Sequence, residues 1–321
     1  MRVYIHYEVT NQPWGGINSF LRAMKESLIS KGLFEESPYK ADIILIAASS
    51  AGVNKPIDYA DIKHFHNLRY KYFFRLGRKK HFPLIVHRLD GLRKFYAGKQ
   101  EASDELQIKL SRLADHIIFQ SRYSLSNFRA MGYRKNNFDI VYNGTDRSIF
   151  KFRKRSPGNP LRIISCSWSN NINKGFQTIS EFSLMTNVEV SFVGNWNPQV
   201  LQNNVKIIAP VNSITLANIY EHQDVFLHAA VNDPCPNVVI EALACGLPII
   251  YSTSGGTPEI ANGYGVPLNS GDYENILEKI RKNYHNIVDR LEADQNKFDI
   301  NTVVDEYLKI FKRLLDQKQI Y

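Results

Sequence analysis

Residues 224–250, DVFLHAAVNDPCPNVVIEALACGLPII, decide the fold. Val225 to Leu227 form an apolar run between Asp224 and His228, the pattern of a buried strand. A loop follows with Asn232, Asp233, Pro234, Cys235, Pro236 and Asn237. Val238, Val239, Ala242, Leu243 and Cys245 then recur at helical spacing, and Gly246 with Pro248 stops the helix. Leu247 to Tyr251 open another strand. In strand, acid-bearing loop, helix and strand, a ligand at the loop faces a helix N-terminus, whose N–H groups and dipole favour an anion such as a phosphate. Asp233 precedes the helix and Glu241 lies one turn inside it, with seven residues between them.

The rest of the chain repeats the pattern. At 321 residues there is room for two domains with separate cores, and 44% hydrophobic with 12% aromatic content is globular. Three scattered cysteines, Cys166, Cys235 and Cys245, suit a reducing compartment and offer no zinc or disulfide framework. The opening RVYIHYEV reads as a strand rather than a leader, and no apolar run reaches 18 residues, so the expectation is a cytoplasmic protein. Charge is uneven. Residues 1–155 hold 28 Lys and Arg against 14 Asp and Glu, while residues 156–321 hold 12 against 17. That split points to an anionic partner for the first half.

In order, a strand at 2–8 leads through TNQPWGG to Gly15, Gly16 and a helix from about Ile17 to Ser30. Paired glycines either make a tight turn or let backbone approach a ligand. Ile43–Ala47 is a second strand. HFHNLRYKYFFRLGRKKHF (64–82) interleaves aromatic and basic residues, suited to nucleic acid, phosphate-bearing lipid or an anionic membrane, or simply to a solvated basic helix. Leu84–Val86 reads as a strand followed by His87, Arg88, Leu89, Asp90 and Gly91, placing His87 and Asp90 where open sheets bind ligands. Asp90 fits equally as a loop acid paired with Arg88 or Arg93. A helix at 102–114, a strand at 116–121, a helix from Arg122 and a strand at 139–146 complete the half, and KFRKRSPGNP (151–160) reads as linker. The second half gives strands at 161–166 and 205–211, a strand then turn over 188–196, helices at 213–221 and 273–293, and a last helix near 301–317. There is no Gly-x-Gly-x-x-Gly, Walker loop, His-Glu-x-x-His or Asp-x-Asp.

The central stretch resembles the donor-binding signature of family-4 retaining glycosyltransferases, which are built from two Rossmann-like domains (the GT-B architecture). There an acid, seven residues and Glu precede Ala-x-Ala-x-Gly-x-Pro, matched here by Asp233, Glu241, Ala242, Ala244, Gly246 and Pro248. Asp233 replaces the usual Glu. Gly255-Gly256-Thr257-Pro258-Glu259, Asn143-Gly144-Thr145-Asp146 and Lys174-Gly175 also resemble family motifs, but Ser169 stands where the family has an Arg.

The resemblance implies an α/β protein: an acceptor-side domain at 1–155, a donor domain at 156–300, a cleft between them, and a C-terminal helix at 301–321 packing back on the first domain. It implies that Glu241 binds the ribose and that Asn237 and Val238, at the helix start, hold the distal phosphate. Asp233 would orient the sugar and Lys174 would meet the diphosphate. Val211, ending the third strand of that half, would line the nucleobase pocket, and Gly15 and Gly16 would lie against the donor. His87 or Asp90 would approach the reacting sugar, and Asn170, Asn171, Arg88 or Arg122 would stand in for the missing Arg. The implied partners are a UDP-, GDP- or ADP-sugar and a glycan or lipid-linked acceptor of cell-surface polysaccharide synthesis, with no metal or other cofactor. Two rivals stay open: a nucleic-acid-binding or nucleic-acid-modifying protein using the basic half, and a non-catalytic sugar-nucleotide binder.

Overall fold

The computed structural model describes residues 1–10, 15–73, 82–98, 101–268 and 271–318. The chain forms two compact units, Met1–Tyr142 with Val303–Tyr321, and Asn143–Thr302. These units divide at 142/143 and 302/303, where the resemblance implied 155/156 and 300/301. The basic run before Pro160 is held by the second unit. Phe150 packs on Tyr220 with ring centroids 6.3 Å apart, and the Arg155 guanidinium donates to the carbonyls of Tyr220, Gln223 and Cys245.

The first unit is a sheet of β1 (Val3–Ile5), β2 (Ile43–Ala47), β3 (Ser50–Gly52), β4 (Lys55–Pro56), β5 (Leu84–Leu89), β6 (His116–Phe119) and β7 (Phe138–Ile140). β1, β2, β5, β6 and β7 are parallel neighbours in that order, and β3 and β4 extend antiparallel from the end of β2. β2 and β5 are buried along their whole length, which is why they show no polar alternation. On the far side of β1, Val3 bridges Phe34 in parallel, so the sheet grows both ways from β1. The C-terminal end of β1, feeding the helix Gly15–Ser30, is thus a topological switch point, the place where open α/β sheets bind ligands.

One expectation needs correcting. The strand expected to stop at Val86 continues to Leu89, because His87 and Arg88 pair with Ile46 and Ala47 of β2 and with Ile117 and Ile118 of β6. His87 and Arg88 are accordingly buried rather than placed beyond the strand's end.

The last helix, Ile300–Lys318, buries Val303, Val304, Tyr307 and Phe311. Tyr307 lies against Phe20 (6.3 Å between ring centroids), Asp305 pairs with Lys31 at 2.9 Å, and Arg313 pairs with Asp139. The C-terminal helix is thus part of the first unit.

The second unit holds β8 (Leu161–Ser167), β9 (Val188–Gly194), β10 (Lys206–Ile208), β11 (Val225–His228), β12 (Ile249–Ser252) and β13 (Gly265–Leu268), all parallel in the order β10-β9-β8-β11-β12-β13. The chain lays β9 and β10 on one side of β8, then returns to lay β11 on the other. The switch point lies between β8 and β11, and the loops leaving these two strands are neighbours for that reason.

Candidate functional site

The loop after β8 ends in one 3-10 turn, Ile172–Lys174, opened by the Asn171 side chain accepting from the Asn173 N–H at 2.9 Å. The loop after β11 joins it where the Val231 N–H donates to the Asn173 carbonyl, 2.9 Å. Gly175 closes the turn at φ 78°, and a Cβ there would stand 2.4 Å from the Ala229 carbonyl oxygen. Only glycine allows this approach. It brings the Lys174 ammonium to Asp233, donating to Oδ2 at 2.8 Å, with the side chains 31% and 15% exposed.

Asp233 is clasped from its other side. The Gly256 N–H donates to its carbonyl at 2.8 Å, and Ser254 Oγ accepts from the Asn232 N–H at 2.9 Å. A Cβ on Gly255, where φ is 76°, would fall 2.4 Å from the Asp233 carbonyl oxygen. Gly255→Ala is therefore expected to cost about 1–3 kcal/mol of stability and to displace Asp233, read as a lower melting temperature. A variant with the parent's melting temperature would show that this contact is not needed.

Desolvation by itself would raise the Asp233 carboxyl. The Lys174 ammonium, His228 and the Cys235 N–H together outweigh it and hold the group below the usual carboxylate range. His228, buried at the end of β11, has Nδ1 3.2 Å from Thr257 Oγ1. Burial drives its imidazole down to about 4, so it is neutral at neutral pH.

The helix Asn237–Ala244 begins after Pro236, which has no side chain able to cap it. Asn143 Nδ2 donates to Asn237 Oδ1 at 2.7 Å, tying the first residue of this helix to the Asn-Gly-Thr-Asp segment. Glu241 is half-buried one turn on. Burial pushes its carboxyl up to about 7, with no cation or hydrogen-bond donor among the described residues pulling it back.

Beside these groups, an open groove of about 760 Å³ runs over the C-terminal ends of β8, β9 and β10, lined by Trp168, Ser169, Asn170, Trp196, Ala209 and Pro210 among others. Phe176 and Phe192 hold the Trp196 ring, with centroids 5.1 and 5.2 Å away, and Asn195 and Asn197 donate to the carbonyls of Trp168 and Asn170. Trp168 keeps an exposed ring over the groove. Val211 directly follows Pro210, the last of these lining residues in the sequence, and is not itself in the lining.

In the first unit, His87 Nε2 lies 2.7 Å from the Ala48 carbonyl. A carbonyl only accepts, so Nε2 carries the proton, and burial holds this imidazole down to about 4. Asp90, just past β5, accepts from Arg88 Nη1 at 3.3 Å. Arg88 is itself buried, donating to Gln120 Oε1 at 2.9 Å and stacked 4.6 Å over Phe20. It is engaged within its own unit. Gly15 and Gly16 open the first helix, and the loop residues 11–14 before them lie outside the described residues.

Residues 173–286 match the family described as glycosyl transferases group 1. This group 1 segment contains Lys174, Asp233, Asn237, Val238 and Glu241. Among solved structures, sucrose-phosphate synthase from Thermosynechococcus elongatus is similar at 16% identity and TM-score 0.66, covering 99% of this chain and 100% of that one. Anabaena HepE in complex with UDP is similar at 16% identity and TM-score 0.67, covering 98% and 100%. WaaG, a glycosyltransferase involved in lipopolysaccharide biosynthesis, is similar at 12% identity and TM-score 0.63, covering 97% and 99%. The fold is the GT-B fold. No curated protein matches the chain.

The structure thus joins Lys174 and Asp233 directly and sets Asn237, Val238 and Glu241 on the helix leaving the same loop. Asn170 lines the groove and Val211 follows its lining residue Pro210, both in the same unit, whereas Gly15, Gly16, His87 and Asp90 belong to the other. Sequence reasoning named His228 and Thr257 without giving either a place at the site, and it did not single out Trp168 or Trp196. An aromatic directly after a strand, as at Trp168, was the available signal.

Proposed function

We propose that the protein is a retaining glycosyltransferase that moves a sugar from a nucleotide-sugar to a glycan or lipid-linked acceptor, with the second unit holding the donor. The observation that carries this reading is the meeting of a lysine, a paired aspartate and an uncapped helix start bearing Glu241 at the switch point of one sheet. The group 1 match over the same residues supports it. Glu241 accepts from the ribose hydroxyls, the N–H groups at Asn237 and Val238 face the distal phosphate, and Trp168 offers a face to the base. Lys174 stabilises charge growing on the departing diphosphate, and Asp233 orients the sugar. Asp90, held by Arg88, and His87 are the first-unit residues assigned to the acceptor side. The HepE structures hold UDP, UDP with glucose, and UDP-glucose, so uridine donors come first in any test.

The acceptor belongs, in this proposal, to surface-polysaccharide assembly at an anionic membrane, with the protein bound peripherally. The basic excess of the first half supports it, as do the ring cluster of Tyr39, His64 and Phe65 and the exposed Lys63 on helix Tyr59–Phe73. Arg75, Arg78, Lys79 and Lys80 lie outside the described residues. No described helix is long and apolar enough to cross a membrane.

A panel of UDP-, GDP- and ADP-sugars scored by thermal shift tests the donor assignment. A true donor at 100 times its dissociation constant adds about 2.7 kcal/mol of stability. Transfer should persist in EDTA. A panel with no stabilising member would remove the reading.

A further inference from the structure

We infer that Asp233 makes this site discriminate between a nucleotide-sugar and the bare nucleoside diphosphate, by contending with the diphosphate for the Lys174 ammonium. The inference rests on the donor-site reading above and assigns to its acid a task beyond orienting the sugar.

In the free protein the ammonium is already engaged, 2.8 Å from Asp233 Oδ2. A phosphate oxygen bound to the same ammonium takes a second charge-assisted bond of about 2.7–2.9 Å, which places it within about 6 Å of the Asp233 carboxylate. Like charges at that separation repel, and partial burial of both side chains weakens the screening that salt provides at an open surface. Asp233 is not free to swing its backbone away. Its carbonyl is held by the Gly256 N–H, and Gly255 packs against the same oxygen. Nor does it escape by taking a proton, since the Lys174 ammonium and the Cys235 N–H favour its ionised form.

A sugar on the diphosphate changes the balance. Its hydroxyls donate to the carboxylate oxygens and replace what Lys174 shares with the phosphate. A bare diphosphate carries no such donors and meets an anion. The same carboxylate that accepts the donor therefore helps expel the nucleoside diphosphate after transfer.

The test is calorimetry with three pairs, UDP and UDP-glucose, GDP and GDP-mannose, and ADP and ADP-glucose, together with the nucleoside of whichever pair the parent binds. Asp233→Asn should bind the nucleoside diphosphate about tenfold tighter and the nucleotide-sugar no tighter, with the nucleoside unchanged. Asp233→Ser repeats the measurement should the amide disturb the loop. A nucleoside diphosphate affinity that stays level or falls in two folded variants overturns the inference while leaving the donor site in place. So does an equal gain for the nucleoside, which would report a general loosening. A parent that binds none of the six ligands overturns the donor reading and this inference together.

Discussion

Lys174→Met is expected to lower turnover about 10²–10³-fold, the scale seen when a single charge-stabilising donor is removed from a transition state. The loop Ser167–Gly175 carries no other cation, and Ser169 stands where a second would be. The departing diphosphate therefore has one side-chain charge from this loop to lean on. Affinity for the nucleoside diphosphate should fall as well, because Asp233 loses its counter-ion and confronts the phosphates alone. Stability should change little, since a partly exposed ion pair contributes about 0–1 kcal/mol. Single-turnover rates at saturating donor separate the two effects. A rate within tenfold of the parent would mean that the helix N-terminus, not the lysine, carries the leaving-group charge.

The second large effect concerns Glu241 and pH. Its carboxyl titrates near 7 in the folded protein, well above its ordinary value, because burial disfavours the charged form. A raised carboxyl stabilises the fold below its unfolded value, and that contribution is lost as pH rises through about 7. At pH 8 the free protein thus holds a desolvated carboxylate costing up to about 3 kcal/mol. Ribose hydroxyls donating to this carboxylate relieve it, so nucleotide-sugar binding below pH 7 should release a proton and weaken by about tenfold per pH unit. A nucleotide-sugar has no terminal phosphate monoester to titrate in the same range, which makes it the right probe. Glu241→Gln should flatten the pH dependence, lower affinity at pH 8 by about 10–100-fold, and melt above the parent there. Calorimetry in buffers of differing ionisation enthalpy reads the proton directly. A pH-independent affinity with no proton released would separate Glu241 from the ribose.

The second unit was the more legible half. Helix Ser213–Glu221 and the helix bearing Glu241 lie where spacing places them, because apolar periodicity agrees with the Asn212 cap of the first and with Gly246 and Pro248 ending the second. The first unit concealed more. β5 runs on through His87 and Arg88, whose side chains suggest a loop, yet a sheet buried on both faces accommodates them once their polar groups find partners such as the Ala48 carbonyl and Gln120. The hairpin β3–β4 hides in a run of small residues, Gly, Pro and Asn that reads as turn. Spacing alone placed Asp233 and Glu241 in one loop-and-helix unit. It could not show that Asp233 and Lys174, 59 residues apart, neutralise each other, because that depends on which strands become neighbours.

The return of the last helix to the first unit also sets an order of synthesis. Residues 143–302 are a continuous insertion, whereas the first unit is assembled from both ends of the chain. As the protein leaves the ribosome, Phe20 must wait for Tyr307, and the Asp139 carboxylate for Arg313. At typical translation speeds the intervening segment takes about ten to thirty seconds to emerge. The part of the chain made first is therefore the part finished last, and the second unit can close while its predecessor is still incomplete.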